Sequence, residues 1–342
     1  MEVIKKLTFN IKKYLIFFTL TFLSIGWILG ANFSKFAATN KSIFSNVIVF
    51  FVFFMIYPMM INMDWKKITK LFKDPKAILL SLLYNYLITP VIAYILMRLF
   101  LHNDELALGF MLVMLIPVSS SSIGYTGIVK GSVEVATIAQ TINFILIPIL
   151  APIYLSIIAH GSKITIPMNS ILKSMFYVII LPIILGYITR VIIISKVGEK
   201  GLKRAKPLIG LITLVSMLGV IFFIFFLKGH MLVSKWNLLI ILGFLTIIYL
   251  IIALVFETWF NKRAGLTYEE HMGIVFLSTG KNNGTAVAIA TLAFSPLVAI
   301  PAAILPIFQI IFMIFYVKLE NKIKKYFEKN TKINYTRKYE EE

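Results

Sequence analysis

The chain has 342 residues, 59% of them hydrophobic, with a mean hydropathy of +0.89 and a formal net charge of +19. Soluble domains hold roughly 45–50% apolar residues, so a water-soluble globule is excluded, and so is a separate soluble domain. The lysines lie between apolar runs, where they set topology and meet anionic lipid headgroups, which argues against nucleic acid as a partner. The absence of cysteine excludes disulfides and thiolate-bound metals.

Apolar segments fall near 14–31, 43–61, 77–100, 106–128, 133–159, 171–195, 208–227, 237–258, 272–293 and 297–317. About 20 apolar residues cross the hydrocarbon layer, so this pattern predicts an all-α membrane protein of ten transmembrane helices in one polytopic domain over 1–342. Lys5, Lys6, Lys12 and Lys13 before the first segment imitate a signal peptide, but the stretch from Tyr14 to Ala31 is longer than a signal core and reads as span 1. The N-terminal tail, the 62–76 connection (Lys66, Lys67, Lys70, Lys73, Lys76), the 196–206 connection (Lys196, Lys200, Lys203, Arg204, Lys206) and the tail after Tyr316 are basic and fall on one face. The alternate connections hold Lys35 and Lys41, then His102 to Glu105, then Lys163, then Lys228 and Lys235. The positive-inside rule therefore places both termini in the cytoplasm, in a cell (inner or plasma) membrane. Five spans on either side of the 160–170 connection predict a 5+5 inverted repeat, 1–159 and 160–318, followed by a basic, lipid-facing tail over 319–342.

The fourth span of each half is interrupted by polar and small residues. Span 4 carries Pro117, Ser119, Ser120, Ser121, Ser122 and Gly124; span 9 carries Ser278, Thr279, Gly280, Lys281, Asn282, Asn283, Gly284 and Thr285. Backbone freed by such breaks must be paired within protein or line a cavity. Two breaks at matching repeat positions point to a substrate site near the midplane, and half-helix N-termini suit an anion. The plain alternative for the serines is close helix packing through small residues.

Lys281 lies about nine residues into span 9, or roughly 14 Å at 1.5 Å per residue, near the midplane. An ionisable residue there usually faces a cavity or a partner. All acidic residues fall in loops, tails or span ends, with Glu134 and Glu257 nearest to membrane depth, so no acidic partner is evident. Either Lys281 is neutral in the core, or it pairs with a bound anion, or it stands where a bound cation would otherwise sit; a purely structural ammonium held by hydroxyls and carbonyls is the alternative. Asn282 and Asn283 can bond a substrate or pin unwound backbone. Asn85, five residues before Pro90, is a buried amide that serves either substrate or a helix–helix hydrogen bond. His102, His160, His230 and His271 sit in connections or at span ends without clustering, so no metal or cofactor is expected. No nucleophile–base pair or metal-ligand set falls within the spans, so an enzyme is not expected.

At these residues the sequence resembles the bile acid/sodium symporter superfamily, which includes the arsenical-resistance (arsenite efflux) family. Met55-Ile56-Tyr57-Pro58 and Asn85-Tyr86-x-x-x-Pro90 are similar to the arsenite-efflux branch. Pro117 to Ser122 with Lys130-Gly131 is similar to the bile acid branch, and Ser278-x-Gly280-x-Asn282-Asn283 to the superfamily's span 9 motif. The resemblance implies a panel domain and a core domain, with spans 4 and 9 crossing where they unwind. It also implies sodium held by an acid at the position of Ser278 and a glutamine at that of Asn282, by an asparagine at that of Ile123 and by hydroxyl residues at those of Ala136 and Gln140; here these are altered. The arsenite-efflux pattern places a cysteine near Ser119 and a glutamate near Thr285, and this chain has neither. Together these residues predict a secondary active transporter of a small organic anion, coupled to protons or uncoupled, and not to sodium. Lys281, Asn282, Asn283, Asn85 and the span 4 serines would bind the anion, with Ser278, Thr279, Gly280, Gly284, Thr285, Gly124 and Pro117 as coupling or hinge positions. Arsenite or metalloid efflux, sodium-coupled anion symport and a channel-like facilitator are the competing functions.

Overall fold

In lipid every backbone polar group must find its partner within the protein, which favours helices wherever the chain is apolar. The computed structural model describes residues 2–62, 75–159, 167–234, 236–295 and 297–328, and among them every regular element is helical. The basic connection residues Lys66, Lys67, Lys70 and Lys73, together with His160, Lys163, Lys235 and residues 329–342, lie outside the described residues.

The chain begins with α1 (Glu2–Lys13), α2 (Leu15–Asn32), α3 (Ser34–Thr39) and α4 (Lys41–Asn62). Then come α5 (Pro75–Leu83), a π-helical turn (Tyr84–Ile88), α6 (Thr89–Phe100), α7 (Asp104–Met114), α8 (Ser120–Ile128) and α9 (Val133–Ala159). The remainder is α10 (Met168–Met175), a second π-helical turn (Phe176–Ile180), α11 (Leu181–Ser234), α12 (Asn237–Arg263), α13 (Tyr268–Thr279), α14 (Asn283–Ala293) and α15 (Ile300–Lys318). Residues 320–328 are also helical.

Six helical runs among the described residues are long and apolar enough to cross a membrane: Lys41–Asn62, Pro75–Phe100, Val133–Ile157, Met168–Leu227, Asn237–Arg263 and Ile300–Lys318. The other predicted spans have identifiable reasons for falling short. The first is the shorter apolar helix Phe17–Asn32, while spans 4 and 9 are each divided at their polar breaks into α7 with α8 and α13 with α14. The run Met168–Leu227 has 60 residues, about 90 Å if straight, three times the hydrocarbon thickness. It bends at Gly198, where φ 66° and ψ 179° are non-helical, inside the connection expected at 196–206.

Helices α1 to α4 pack on α11, while α5 to α9 and α12 to α15 pack largely among themselves; α14 touches α4 and α10. The approach of α2 to α11 is close because Gly26 and Gly30 lie against the backbone of Phe222 and Phe226, where a side chain would collide with the carbonyls. The basic N-terminal residues are not a loose tail. They form α1, whose Thr8 hydroxyl donates to the Pro207 carbonyl (3.1 Å) and whose Ile11 is buried with Leu214 and Leu218. The start of the C-terminal tail likewise departs from the lipid-facing expectation: Ile323 and Phe327 are buried, and the Phe327 ring stacks on His271 at 4.7 Å.

Candidate functional site

Pro117 brings no N–H to a helix, and after α7 the chain leaves helical geometry. Val118 has φ 65°, a conformation costing a β-branched residue on the order of 1–3 kcal/mol, and it is fully buried. The freed backbone is satisfied by the other break: the Ser119 N–H donates to the Gly280 carbonyl, and the Asn282 N–H donates to the Ile116 carbonyl, both at 2.9 Å. These two bonds tie the interruptions of spans 4 and 9 together. Gly280 is required there, since a Cβ would run into the Ser122 hydroxyl and the Phe276 carbonyl.

Asn282 caps α14, accepting from the Thr285 N–H at 3.2 Å. The Asn283 amide donates to the Lys281 carbonyl (3.1 Å) and to Gln309 Oε1 (3.4 Å). Ser122 is buried and Ser119 half-buried at the head of α8; Ser120 and Ser121 begin α8, and their side chains lie outside what is described. Thr279 turns its hydroxyl back to the Val275 carbonyl at 2.5 Å, Gly284 packs on Met55, and Gly124 faces open space. Thr285 Oγ1, Asn283 Oδ1 and Gln140 Oε1 are buried acceptors with no hydrogen-bond partner among the described residues.

Lys281 is fully buried. Its Nζ donates to Asn85 Oδ1 at 3.3 Å and to Thr89 Oγ1 at 3.4 Å, and it stands 5.5 Å from the ring centre of Tyr249. These are long contacts to neutral oxygens. Its backbone N–H donates to Gln309 Oε1 at 2.9 Å, so α15 fixes the main chain while the π-helical turn and α6 receive the side chain.

That turn has a sequence cause. Pro90 cannot donate to the Tyr86 carbonyl four residues earlier, and the Tyr154 hydroxyl of α9 donates to that carbonyl instead. The extra residue in the turn accompanies a buried Asn85 whose orientation is set by a relay: its Nδ2 donates to Asn143 Oδ1 (3.0 Å), and Asn143 Nδ2 donates to Ser81 Oγ (2.7 Å) and the Ala139 carbonyl (2.8 Å).

The sequence reading found no acidic partner at this depth, and here the structure corrects it. Glu257 is 2% exposed and accepts a hydrogen bond from the Ser278 hydroxyl. The apolar pattern stops near 258, which puts Glu257 at a span end, but α12 continues to Arg263. Tyr249 completes the connection to the lysine: Thr89 and Tyr249 share a hydrogen bond of 3.1 Å, and the Tyr249 hydroxyl donates to the Ser278 carbonyl at 3.4 Å. Glu257 and Lys281 are near enough to interact electrostatically. Thr89, Tyr249, Gln309 and Asn143 were also missed; lone polar residues in apolar helices gave no more signal than many others.

His271, expected at a span end, is buried, sharing hydrogen bonds with Asn261 (2.9 Å) and Tyr316 (2.7 Å). A separate hollow of about 350 Å³ between α4 and α11, lined by Phe50, Phe51, Phe54, Leu211, Ile212, Val215 and Ser216, is apolar and away from this cluster.

The family model described as "Sodium Bile acid symporter family" matches residues 49–235, more than half of the chain, taking in the first break and leaving the second outside. The chain is 23% identical over 273 residues to the "Uncharacterized sodium-dependent transporter YocS" of Bacillus subtilis, covering 78% of this chain and 80% of that one. It is 25% identical over 159 residues to the "Arsenical-resistance protein Acr3" of Alkaliphilus metalliredigens, covering 43% of this chain and 44% of that one, so this match spans less than half of that relative.

Proposed function

The chain belongs to the sodium bile acid symporter family and is a multi-pass membrane transporter; on that premise we propose that it is a secondary active transporter of a small organic anion, a carboxylate, that does not use sodium as its coupling ion. The observation that carries this reading is Lys281: a fully buried side chain at the meeting of two helix breaks, its Nζ held by long contacts to an amide and a hydroxyl oxygen. A fixed positive charge there disfavours sodium and favours an anion. Asn282, Asn283, Asn85 and Ser119 to Ser122 would orient the ligand, and the N-termini of α8 and α14 would add dipole attraction. The site is buried in this conformation, so entry requires one bundle to rock against the other about the hinge positions Pro117, Gly124, Ser278, Thr279, Gly280, Gly284 and Thr285.

The same proposal includes the topology. Counting the two broken spans and the arms of α11 on either side of Gly198 separately, and adding α2, gives ten spans in two repeats, 1–159 and 160–318, within one domain. The tail over 319–342 and both termini are cytoplasmic, in the cell membrane. A second reading, metalloid efflux, is favoured by the arsenical-resistance relative; without cysteine it would run through hydroxyl contacts such as Ser119 and Ser122.

The test is the melting temperature of the purified protein against acetate, pyruvate, succinate, taurocholate and arsenite, each in sodium and in potassium salt, since a ligand of the folded state raises it. A shift with a carboxylate that is equal in the two salts is the expected result. A shift with arsenite alone supports the second reading, and one that needs sodium overturns the first.

A further inference from the structure

Glu257 is a buried acid to which the anion reading gives no task. It shares one polar cluster with Lys281: the carboxylate accepts from the Ser278 hydroxyl, the Ser278 carbonyl accepts from Tyr249, Tyr249 shares a hydrogen bond with Thr89, and Thr89 accepts from Lys281. We infer that Glu257 is the proton carrier of the transport cycle, taking up one proton as an anion binds at Lys281 and releasing it as the anion leaves. This rests on the anion reading and assigns its coupling ion to a side chain.

Charge must balance where both side chains are buried. With Lys281 as an ammonium and Glu257 as a carboxylate, the empty cluster carries no net charge. An anion adds a second negative charge, and a buried charge without a partner is strongly disfavoured. Protonation restores neutrality: an O–H bond forms on the Glu257 carboxylate, and the ammonium pairs with the anion. The proton is given up by a hydronium ion or buffer acid of the aqueous phase, whose own bond to it breaks, and no covalent bond of the anion changes.

Ser278 is built for both states. Its single hydroxyl hydrogen has three acceptors in reach, the Glu257 carboxylate and the carbonyls of Ile274 (3.2 Å) and Val275 (3.1 Å). It can donate to the ionised acid, or turn to its own helix and accept from the protonated one. The other ionisable groups facing Glu257 are Tyr84 on the π-helical turn, Tyr249 on α12, Tyr316 on α15 and Lys281 on the α13 break. His271 stands one step beyond through Tyr316, and α6 contributes the neutral Thr89. Lys281 is the cation in this group, so the anion and Glu257 compete for it.

The experiment titrates the carboxylate giving the largest melting shift among acetate, pyruvate, succinate and taurocholate. Calorimetry in buffers of different ionisation heat reads proton uptake. The wild-type protein is expected to take up about one proton per anion, with affinity falling about tenfold per pH unit once the empty site is ionised. Glu257→Gln is expected to bind without proton uptake and without pH dependence, and its proteoliposomes to lose accumulation driven by a proton gradient; Glu257→Asp should restore part of both. A purely structural role would weaken binding at every pH alike. Binding by the wild type with no proton uptake overturns this inference and leaves the anion reading standing, whether or not Glu257→Gln folds. Wild-type pH dependence in Glu257→Gln overturns it as well. Failure of the wild type to bind any of the four acids overturns the anion reading, and the inference with it.

Discussion

Replacing Lys281 by alanine removes a fully buried side chain whose Nζ contacts Asn85 Oδ1 and Thr89 Oγ1. In the proposed complex that nitrogen makes a charge-assisted hydrogen bond to the anion, worth about 1.5–3 kcal/mol. At about 2 kcal/mol the dissociation constant rises about 30-fold. An anion supplied at about 100 times its dissociation constant stabilises the wild type by about 2.7 kcal/mol; the same concentration would stabilise Lys281→Ala by about 0.9 kcal/mol. The empty variant should lose stability of its own, because Glu257 is left without its cation and the deleted side chain leaves a cavity, so each melting shift is read against the same variant without ligand. Lys281→Arg keeps the charge in a bulkier, planar form and should retain part of the affinity. The assay is the melting shift across a carboxylate concentration series for the three proteins. A Lys281→Ala curve that overlays the wild type would refute the assignment of the ammonium to the ligand, whatever its effect on transport.

Three further changes test the frame around that site. Gly280→Ala places a methyl against the Ser122 hydroxyl and the Phe276 carbonyl, and should cost about 1–3 kcal/mol, read as a lowered melting temperature with loss of transport. Tyr154→Phe deprives the Tyr86 carbonyl of its hydroxyl donor; a buried acceptor left unpaired costs about 1–3 kcal/mol, and a melting temperature equal to wild type would show that another group takes over. Gly198→Ala meets nothing within 4 Å but must adopt φ 66°, so thermal unfolding should report a backbone cost of about 1–3 kcal/mol with anion binding intact.

What could be read from sequence followed the reach of each signal. Apolar runs gave the helices, and runs of small and polar residues gave the breaks, because both are local. The bonds between the breaks, Ser119 to Gly280 and Asn282 to Ile116, join residues more than 160 positions apart, and no local pattern announces them. Lys281 stood out because a charge at mid-span is rare. Glu257 did not, because the hydropathy of α12 falls off before the helix ends and its last turns resemble a loop. The amphipathic α1 and helix 320–328 read as tails in the sequence for a related reason: their charges hide a single apolar face, which shows itself through partners such as Leu214 and His271.

The placement of charge bears on coupling more directly than any single contact. The resemblance to the symporters implies an acid at the position of Ser278, where it can attract a cation. Here that position is a hydroxyl, the acid approaches it from α12, and a lysine stands three residues further along the same break. On the proposed reading the local charges are one of each sign, held on separate segments, rather than an acid awaiting a mobile cation. A sodium ion entering such a cluster would meet a neighbouring ammonium of its own sign, whereas a proton removes the negative charge on Glu257 without adding an ion. If the proposed charges hold, the arrangement favours the proton as co-substrate on electrostatic grounds, and a sodium gradient imposed across proteoliposomes at equal pH should drive no accumulation of the anion. Accumulation under that gradient would mean that the ammonium does not carry its charge in the working cycle.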